Sequence, residues 1–300
     1  MQKDFMKLHK YDPNKDYSGW YLQEKVDGVF AAIDVNTGIA YSRTCKPFYI
    51  PEDTYLQRII DYICDCYAGE MPDDTYVIAE IIAQGLTLEQ LSGLLNPNRK
   101  EPWDTLQMHH WVVYAHDCVT LVDGVDNTPY RERYEKVRRI PQDCGGLRHM
   151  CNIVLESTQE VAAGRIEAMF NSLVDMGAEG VVLKDPEGIY QMQKRTKQQL
   201  KRVREHTEDV RIVAAEYGKG KRSKQLARWQ CQSLDNPDML FWADLGAGWD
   251  DAARDAMTYA YEQDPSTVIG TVWVVKGLQK SSTGTAVRLP KLQYRRFDKE

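Results

Sequence analysis

Short β-rich segments that stop at turn residues are what most limits the folds open to this chain of 300 residues. Trp20–Leu22, Val29–Val35, Gly38–Ser42, Tyr76–Ile82 and Trp111–Ala115 are each rich in branched or aromatic residues and bounded by Gly, Pro, Asp or Asn. Between them the spacing predicts helices over Thr54–Cys66, Thr87–Leu94, Tyr130–Ile140 and Thr158–Met176. In the last of these, Val161, Ala162, Ile166, Met169, Phe170, Leu173 and Val174 recur at helical spacing, and Gly177 is a natural stop. Strands resume at Gly180–Lys184, Leu200–Val203 and Val210–Glu216. The reading is α+β.

After Glu205 the character changes. Val210–Glu216, Trp229–Ser233, Met239–Ala243 and Thr271–Val275 read as short strands, with one helix over Asp250–Glu262. About 95 residues of strands with one helix suit a small five-stranded barrel of the oligonucleotide-binding (OB) kind. Two domains are therefore expected, 1–205 and 206–300.

Composition excludes several classes. With 43% hydrophobic and 27% charged residues the chain is not disordered. No apolar stretch approaches the ~20 residues of a membrane helix, and the start, MQKDFMKLHK, shows no secretory leader. Cytoplasmic location and no membrane partner are expected. The seven cysteines (45, 64, 66, 118, 144, 151 and 231) are an odd number without a Cys-x-x-Cys pair, so reduced thiols are expected rather than a zinc site. Net charge is −6, but it is segregated. From Lys184 to Arg228 there are 13 Lys/Arg against 6 Asp/Glu, and residues 288–300 hold five cations against two carboxylates. The segment from Asp235 to Asp264 is acidic, with only Arg254 to offset it. Local positive fields of this kind suit a phosphate-bearing partner.

The sharpest local signal is Glu24-Lys25-Val26-Asp27-Gly28, between an aromatic strand and Val29-Phe30-Ala31-Ala32-Ile33. Downstream come Ser42-Arg43, Ala79-Glu80, Tyr114 within Trp111-Val-Val-Tyr, Glu179-Gly180-Val-Val-Leu-Lys184, Leu200-Lys201-Arg202, and Arg288-x-Pro290 followed by Arg296-x-Asp298-Lys299. Any one of these is weak. In this order they resemble the six motifs of the covalent nucleotidyltransferases, most closely the compact, phage-type ATP-dependent DNA ligases. The resemblance runs from residue 20 to the C-terminus. It implies an adenylation domain of antiparallel sheets and flanking helices followed by an OB barrel. It also implies that Lys25 attacks the α-phosphorus of ATP and carries AMP while nicked duplex DNA is sealed. A monomer is expected, in the host cytoplasm if phage-encoded.

Each residue type suits the task that the resemblance gives it. A lysine is nucleophilic only when deprotonated, which burial beside other cations favours. Lys184 and Lys201 are implied at the α-phosphate, Arg43 at the nucleotide or the DNA 5′-phosphate, and Glu24 among the ATP-binding residues. Hard cations prefer carboxylate oxygens, so Glu80 and Glu179 are the candidates for Mg2+, and Glu80 could instead bind the ribose. Tyr114 offers a flat face to adenine. Arg296 and Lys299 are implied to orient the pyrophosphate. Three positions depart from the family pattern. Phe30 stands where the first motif has arginine, with Lys46 a possible substitute. Lys201 is followed at i+2 by Val203 instead of a second lysine, which leaves Arg202 as its rival. Ile78-Ala79-Glu80 replaces Asp-Gly-Glu. An RNA ligase or an mRNA-capping guanylyltransferase is the alternative within the superfamily, and a catalytically silent nucleic-acid-binding protein the alternative outside it.

Overall fold

The computed structural model describes residues 4–98, 103, 110–141, 151–155, 159–160, 164–245, 249–278 and 286–299. The chain forms two compact units, Met1–Val203 and Arg204–Glu300. That division lies two residues before the one expected at 205/206.

The first unit carries strands β1 (Lys7–Lys10), β2 (Tyr21–Lys25), β3 (Val29–Asp34), β4 (Ala40–Tyr41), β5 (Thr75–Ala83), β6 (Trp111–Thr120), β7 (Val125–Asp126), β8 (Cys151–Leu155), β9 (Gln159–Glu160), β10 (Gly180–Lys184), β11 (Tyr190–Gln191) and β12 (Arg195–Val203). Its helices are α1 (Tyr55–Asp65), α2 (Leu88–Leu95), α3 (Tyr130–Val137) and α4 (Ile166–Asp175). Two five-stranded sheets result, ordered β4-β3-β5-β6-β8 and β1-β12-β10-β2-β9. Neighbours are antiparallel except at one edge of each, where β8 runs parallel to β6 and β1 to β12.

Helix α1 forms because Leu56, Ile59, Ile60 and Ile63 share one face, all fully buried, and because Thr54 accepts the amide hydrogen of Gln57 at its start. That face packs on Ile33, Val77, Ile81 and Val113 of the first sheet. On the second sheet, Ile166 and Phe170 of α4 pack with Val181, Leu183 and Leu200. Helix α4 is shorter than the expected Thr158–Met176. Gln159 and Glu160 instead pair with Leu22 and Tyr21 as an edge strand, and Gly164 takes a φ of +73° that a helix does not allow. Val161 and Ala162 lie outside the described residues, as does Cys144.

The second unit is a closed barrel of β13 (His206–Tyr217), β14 (Leu226–Ser233), β15 (Leu240–Leu245), β16 (Val272–Gly277) and β17 (Lys291–Arg295), in the order β13-β14-β15-β17-β16. Val210, Ile212, Trp229, Cys231, Ala243, Val275 and Leu292 fill its core. Helix α5 (Asp251–Gln263) joins β15 to β16 in sequence and packs on β14. The barrel agrees with the sequence reading, but its fifth strand, Lys-Leu-Gln-Tyr-Arg, buries only Leu292 and has no apolar alternation to announce it. Among the described residues no helix is long and apolar enough to cross a membrane.

Candidate active site

Strand β2 belongs to one sheet and β3 to the other, so the turn from Lys25 to Gly28 is where the chain steps between them. The glycine is required by close approach. A Cβ at Gly28 would stand 2.7 Å from the carbonyl oxygen of Ile81 in β5. A second glycine plays the same part across the ladder. Gly180 of β10 lies opposite Lys25 and Val203, and a Cβ there would collide with the carbonyl of Arg202. Glu179, just before it, is thereby held against Lys25, whose Nζ donates to Glu179 Oε2 at 2.6 Å. Both are sheltered, at 19% and 6% side-chain exposure.

Lys25 opens on a cavity of about 280 Å3, lined from both sheets. Glu24, Arg43, Glu80, Lys184 and Lys201 also line it, which brings six of the residues singled out in the sequence to one place. Glu179 reaches it only through its bond to Lys25. Glu80 projects from β5 with Oε2 buried and without a hydrogen-bond partner. Burial pushes its carboxyl up to about 7, against the pull of Arg43 and Lys25. Arg43 follows β4, lies 3.9 Å from Glu80, donates to the Met6 carbonyl at 2.8 Å and stacks on Phe30 at 3.8 Å. Phe30 therefore gives the site a platform for Arg43 where the family pattern has a cation. Lys46, the expected substitute, is exposed and does not line the cavity.

The choice between Lys201 and Arg202 follows from strand alternation. Lys201 stands opposite Val182, which also lines the cavity, while Arg202 faces the other way, over Phe170 at 4.1 Å and against Glu167 at 3.3 Å. Burial, and after it the charge of Lys25, hold the Lys201 ammonium below its usual range. Lys184 is almost fully buried and donates to the carbonyl of His116 at 2.9 Å, to His116 Nδ1 at 3.3 Å and to the Tyr130 hydroxyl at 3.3 Å.

Tyr114 is not where the sequence reading needs it. It stands opposite Glu80 on β6 but does not line the cavity. The same strand brings a different ring to the cavity, through a bulge. Ile78 pairs with Asp117 and Ala79 with Ala115, so His116 is an extra residue, and consecutive His116 and Asp117 both face the cavity. Arg133 of α3 pins this bulge with a fully buried fork on Asp117, at 2.9 and 3.1 Å. Burial and the facing Lys184 keep the His116 imidazole neutral, well below its usual range. His116 and Gln23 are cavity residues that sequence reasoning passed over. Gln23 was within reach, because it lies two residues before Lys25 on the same strand face. Its orientation is set by the Tyr130 hydroxyl, which donates to the His116 carbonyl at 3.0 Å and so accepts from Gln23 Nε2 at 2.8 Å. Gln23 Oε1 is left buried without a partner.

Arg296 and Lys299 belong to the second unit. There they meet Asp209 of β13, at 3.2 and 2.6 Å.

Two sheets joined at a lysine turn, followed by a five-stranded barrel, make the architecture of the covalent nucleotidyltransferases. Within that class, residues 5–202 match the ATP dependent DNA ligase domain, and the chain belongs to that family. It is 31% identical over 212 residues to a DNA ligase of Methanocorpusculum labreanum, covering 63% of this chain and 36% of that protein. The fold is similar to that of the solved structure "Pmar-Lig_Pre", with a TM-score of 0.75 at 20% identity over 99% of this chain and 68% of that one. It is also similar to that of a Lig E DNA ligase, with a TM-score of 0.69 at 15% identity over 98% and 99%. The chain spans less than half of the length of the curated relatives it matches, 36% of that of the Methanocorpusculum labreanum protein and 46% of that of a Haloquadratum walsbyi one.

Proposed function

We propose that this protein is an ATP-dependent DNA ligase that seals 3′-hydroxyl/5′-phosphate nicks in duplex DNA, acting as a cytoplasmic monomer. The observation that carries the reading is the convergence of Lys25, Arg43, Glu80, Lys184 and Lys201, from distant parts of the chain, on one cavity, with Glu179 bonded to Lys25. In the first step Lys25 Nζ attacks the α-phosphorus of ATP. A P–N bond forms, the α–β bridge breaks, and pyrophosphate leaves with the electron pair. Glu179 is placed to take the ammonium proton at 2.6 Å. Lys184, Lys201 and Arg43 set positive charge around the phosphates, where developing negative charge needs it. The DNA 5′-phosphate then displaces Lys25 from AMP, and the 3′-hydroxyl displaces AMP from the DNA.

The unpartnered Gln23 Oε1 is an acceptor to which the exocyclic amine of adenine can donate, in keeping with ATP as the substrate. His116, rather than Tyr114, has the flat ring on the cavity wall. No cluster of three or more metal-ligating side chains occurs among the described residues. Mg2+ held by one or two carboxylates and the substrate phosphates needs none, and Glu80, with its free carboxylate oxygen, and Glu179 fit that mode. Once bound, the ion would neutralise phosphate charge and polarise the α-phosphorus.

The test is incubation with α-labelled ATP or GTP, followed by nicked DNA or RNA duplexes. Label should pass from ATP alone to the protein, and nicked DNA should be closed. Transfer from GTP, or sealing confined to RNA, would replace this reading with the capping or RNA-ligase alternative.

A further inference from the structure

Arg296 and Lys299 do not wait with open hands. Arg296 Nε and Nη2 each donate to Asp298 at 2.8 Å, and Nη1 donates to Asp209 at 3.2 Å. Lys299 Nζ donates to Asp209 Oδ2 at 2.6 Å. Two cations thus face two carboxylates, and the group as a whole offers a polyanion no net positive charge. The two carboxylates differ in kind. Asp298 lies two residues from Arg296, in the one-turn 3-10 helix (Phe297–Lys299) that directly follows it and also holds Lys299. Asp209 is fixed in the barrel, where β13 pairs with β16 and Asp209 stands opposite Val274. It is 21% exposed, against 27% for Arg296 and 42% for Lys299. The Arg296 amide donates to the Val272 carbonyl at 2.7 Å, so the backbone is held there already, and Asp209 is the barrel carboxylate that engages both terminal side chains.

We propose that Asp209 is a resting counter-ion for Arg296 and Lys299: its carboxylate occupies the cations that the pyrophosphate of ATP must recruit, so ATP engages them only by displacing it. This rests on reading Arg296 and Lys299 as the pyrophosphate-orienting pair, and it adds to that reading a positioning residue no motif contains. The exchange is of one anion for another. A phosphate carries more charge and more acceptor oxygens than a carboxylate, so it can win, and once pyrophosphate leaves the cations return to Asp209.

The experiment measures self-adenylylation from α-labelled ATP over a range of ATP concentrations, and then discharge of the AMP-loaded protein by inorganic pyrophosphate. Asp209→Asn should lower the half-saturating concentration of both ATP and pyrophosphate by roughly threefold, the size of one partly exposed ion pair. The maximal rate and the sealing of a pre-adenylylated nick should stay unchanged. Asp209→Glu should restore the wild-type values. A residue that merely held the terminus in place would, when lost, weaken both ligands together. Unchanged or raised half-saturating concentrations in Asp209→Asn would therefore overturn the proposal. Arg296→Ala should raise the ATP requirement. If it did not, the reading of Arg296 would fail and the proposal with it, whereas absence of any Lys25 adduct in the wild type would dismiss the ligase reading itself.

Discussion

Lys25 is of use only as a free amine, and this sets the plainest expectation at the residue scale. Lys25→Ala should abolish label transfer from α-labelled ATP, and Lys25→Arg should be equally inactive, because a guanidinium stays protonated. Residual adduct in Lys25→Ala would move the nucleophile elsewhere. His116 gives a stability test with a definite sign. Its folded pKa lies below the unfolded value of about 6.5, because burial and then Lys184 disfavour the imidazolium. The unfolded chain therefore takes up the proton first, and stability is lost as pH falls below about 6.5. His116→Asn removes that titration. The melting-temperature advantage of wild type over the variant should be largest near pH 8 and shrink toward pH 5. An advantage constant with pH would mean that the imidazole titrates alike in both states. The same residue marks a limit of legibility. Lys25, Glu80 and Glu179 each adjoin a turn or an apolar strand that local patterns mark, whereas Lys201, on β12, rests on the order of the motifs. The cavity position of His116 depends on one extra residue in a ladder, and neither its partner strand nor its register is written locally.

Among the elements, the close approach of β5 to the Lys25 turn makes Gly28 a structural requirement of the site. Gly28→Ala would press a methyl group against a backbone carbonyl 2.7 Å away, so strand and turn must part. A loss of about 1–3 kcal/mol is expected, together with slower adenylylation, since the turn carries Lys25. Gly93, exposed in α2, is the contrast. Nothing lies within 4 Å of a Cβ there, so Gly93→Ala should raise stability by about 1 kcal/mol and leave activity alone. Equal effects at the two positions, read by thermal unfolding, would count against the close-approach argument. The strands rich in branched and apolar residues (β3, β5, β6 and β10) and the capped helix α1 were legible, because burial leaves short apolar runs in the strands and a helical period in α1. Strands β1, β12 and β17 were missed or seen only in part. Lys-Leu-His-Lys, Arg-Thr-Lys-Gln-Gln and Lys-Leu-Gln-Tyr-Arg are held by backbone pairing, with β1 on β12 and β17 between β15 and β16, and backbone pairing leaves no period in side chains.

At the scale of the whole molecule, charge decides more than sequence motifs do. A protein with net charge −6 should be repelled by DNA, yet the run from Lys184 to Arg228 carries 13 cations against 6 carboxylates. Much of the early part of that run is committed: Lys184 and Lys201 line the cavity, and Arg202 lies against Glu167. A compact exposed group within the run is the connection between β13 and β14. There Lys219, Lys221 and Lys224 are exposed, while Arg222 leans on Asp251 at 3.5 Å. The connection is also firmly built. Gly218 donates to the Gln225 carbonyl at 2.9 Å, and a Cβ on Gly218 would lie 2.7 Å from the carbonyl oxygen of Arg222. Three lysines on a rigid projection can meet phosphates without paying to order a loop. Each phosphate neutralised releases counter-ions and steepens the dependence of binding on salt by about 0.9 in a log–log plot. Replacing Lys219, Lys221 and Lys224 together by alanine should therefore weaken binding of nicked duplex most at low salt. The slope should become shallower by about two to three units, while self-adenylylation from ATP is untouched because the cavity is intact. Binding titrations at several salt concentrations decide it. If affinity falls by the same factor at every salt, the lysines act through the fold of the barrel; if slope and affinity both stay as they were, the duplex is gripped by other cations.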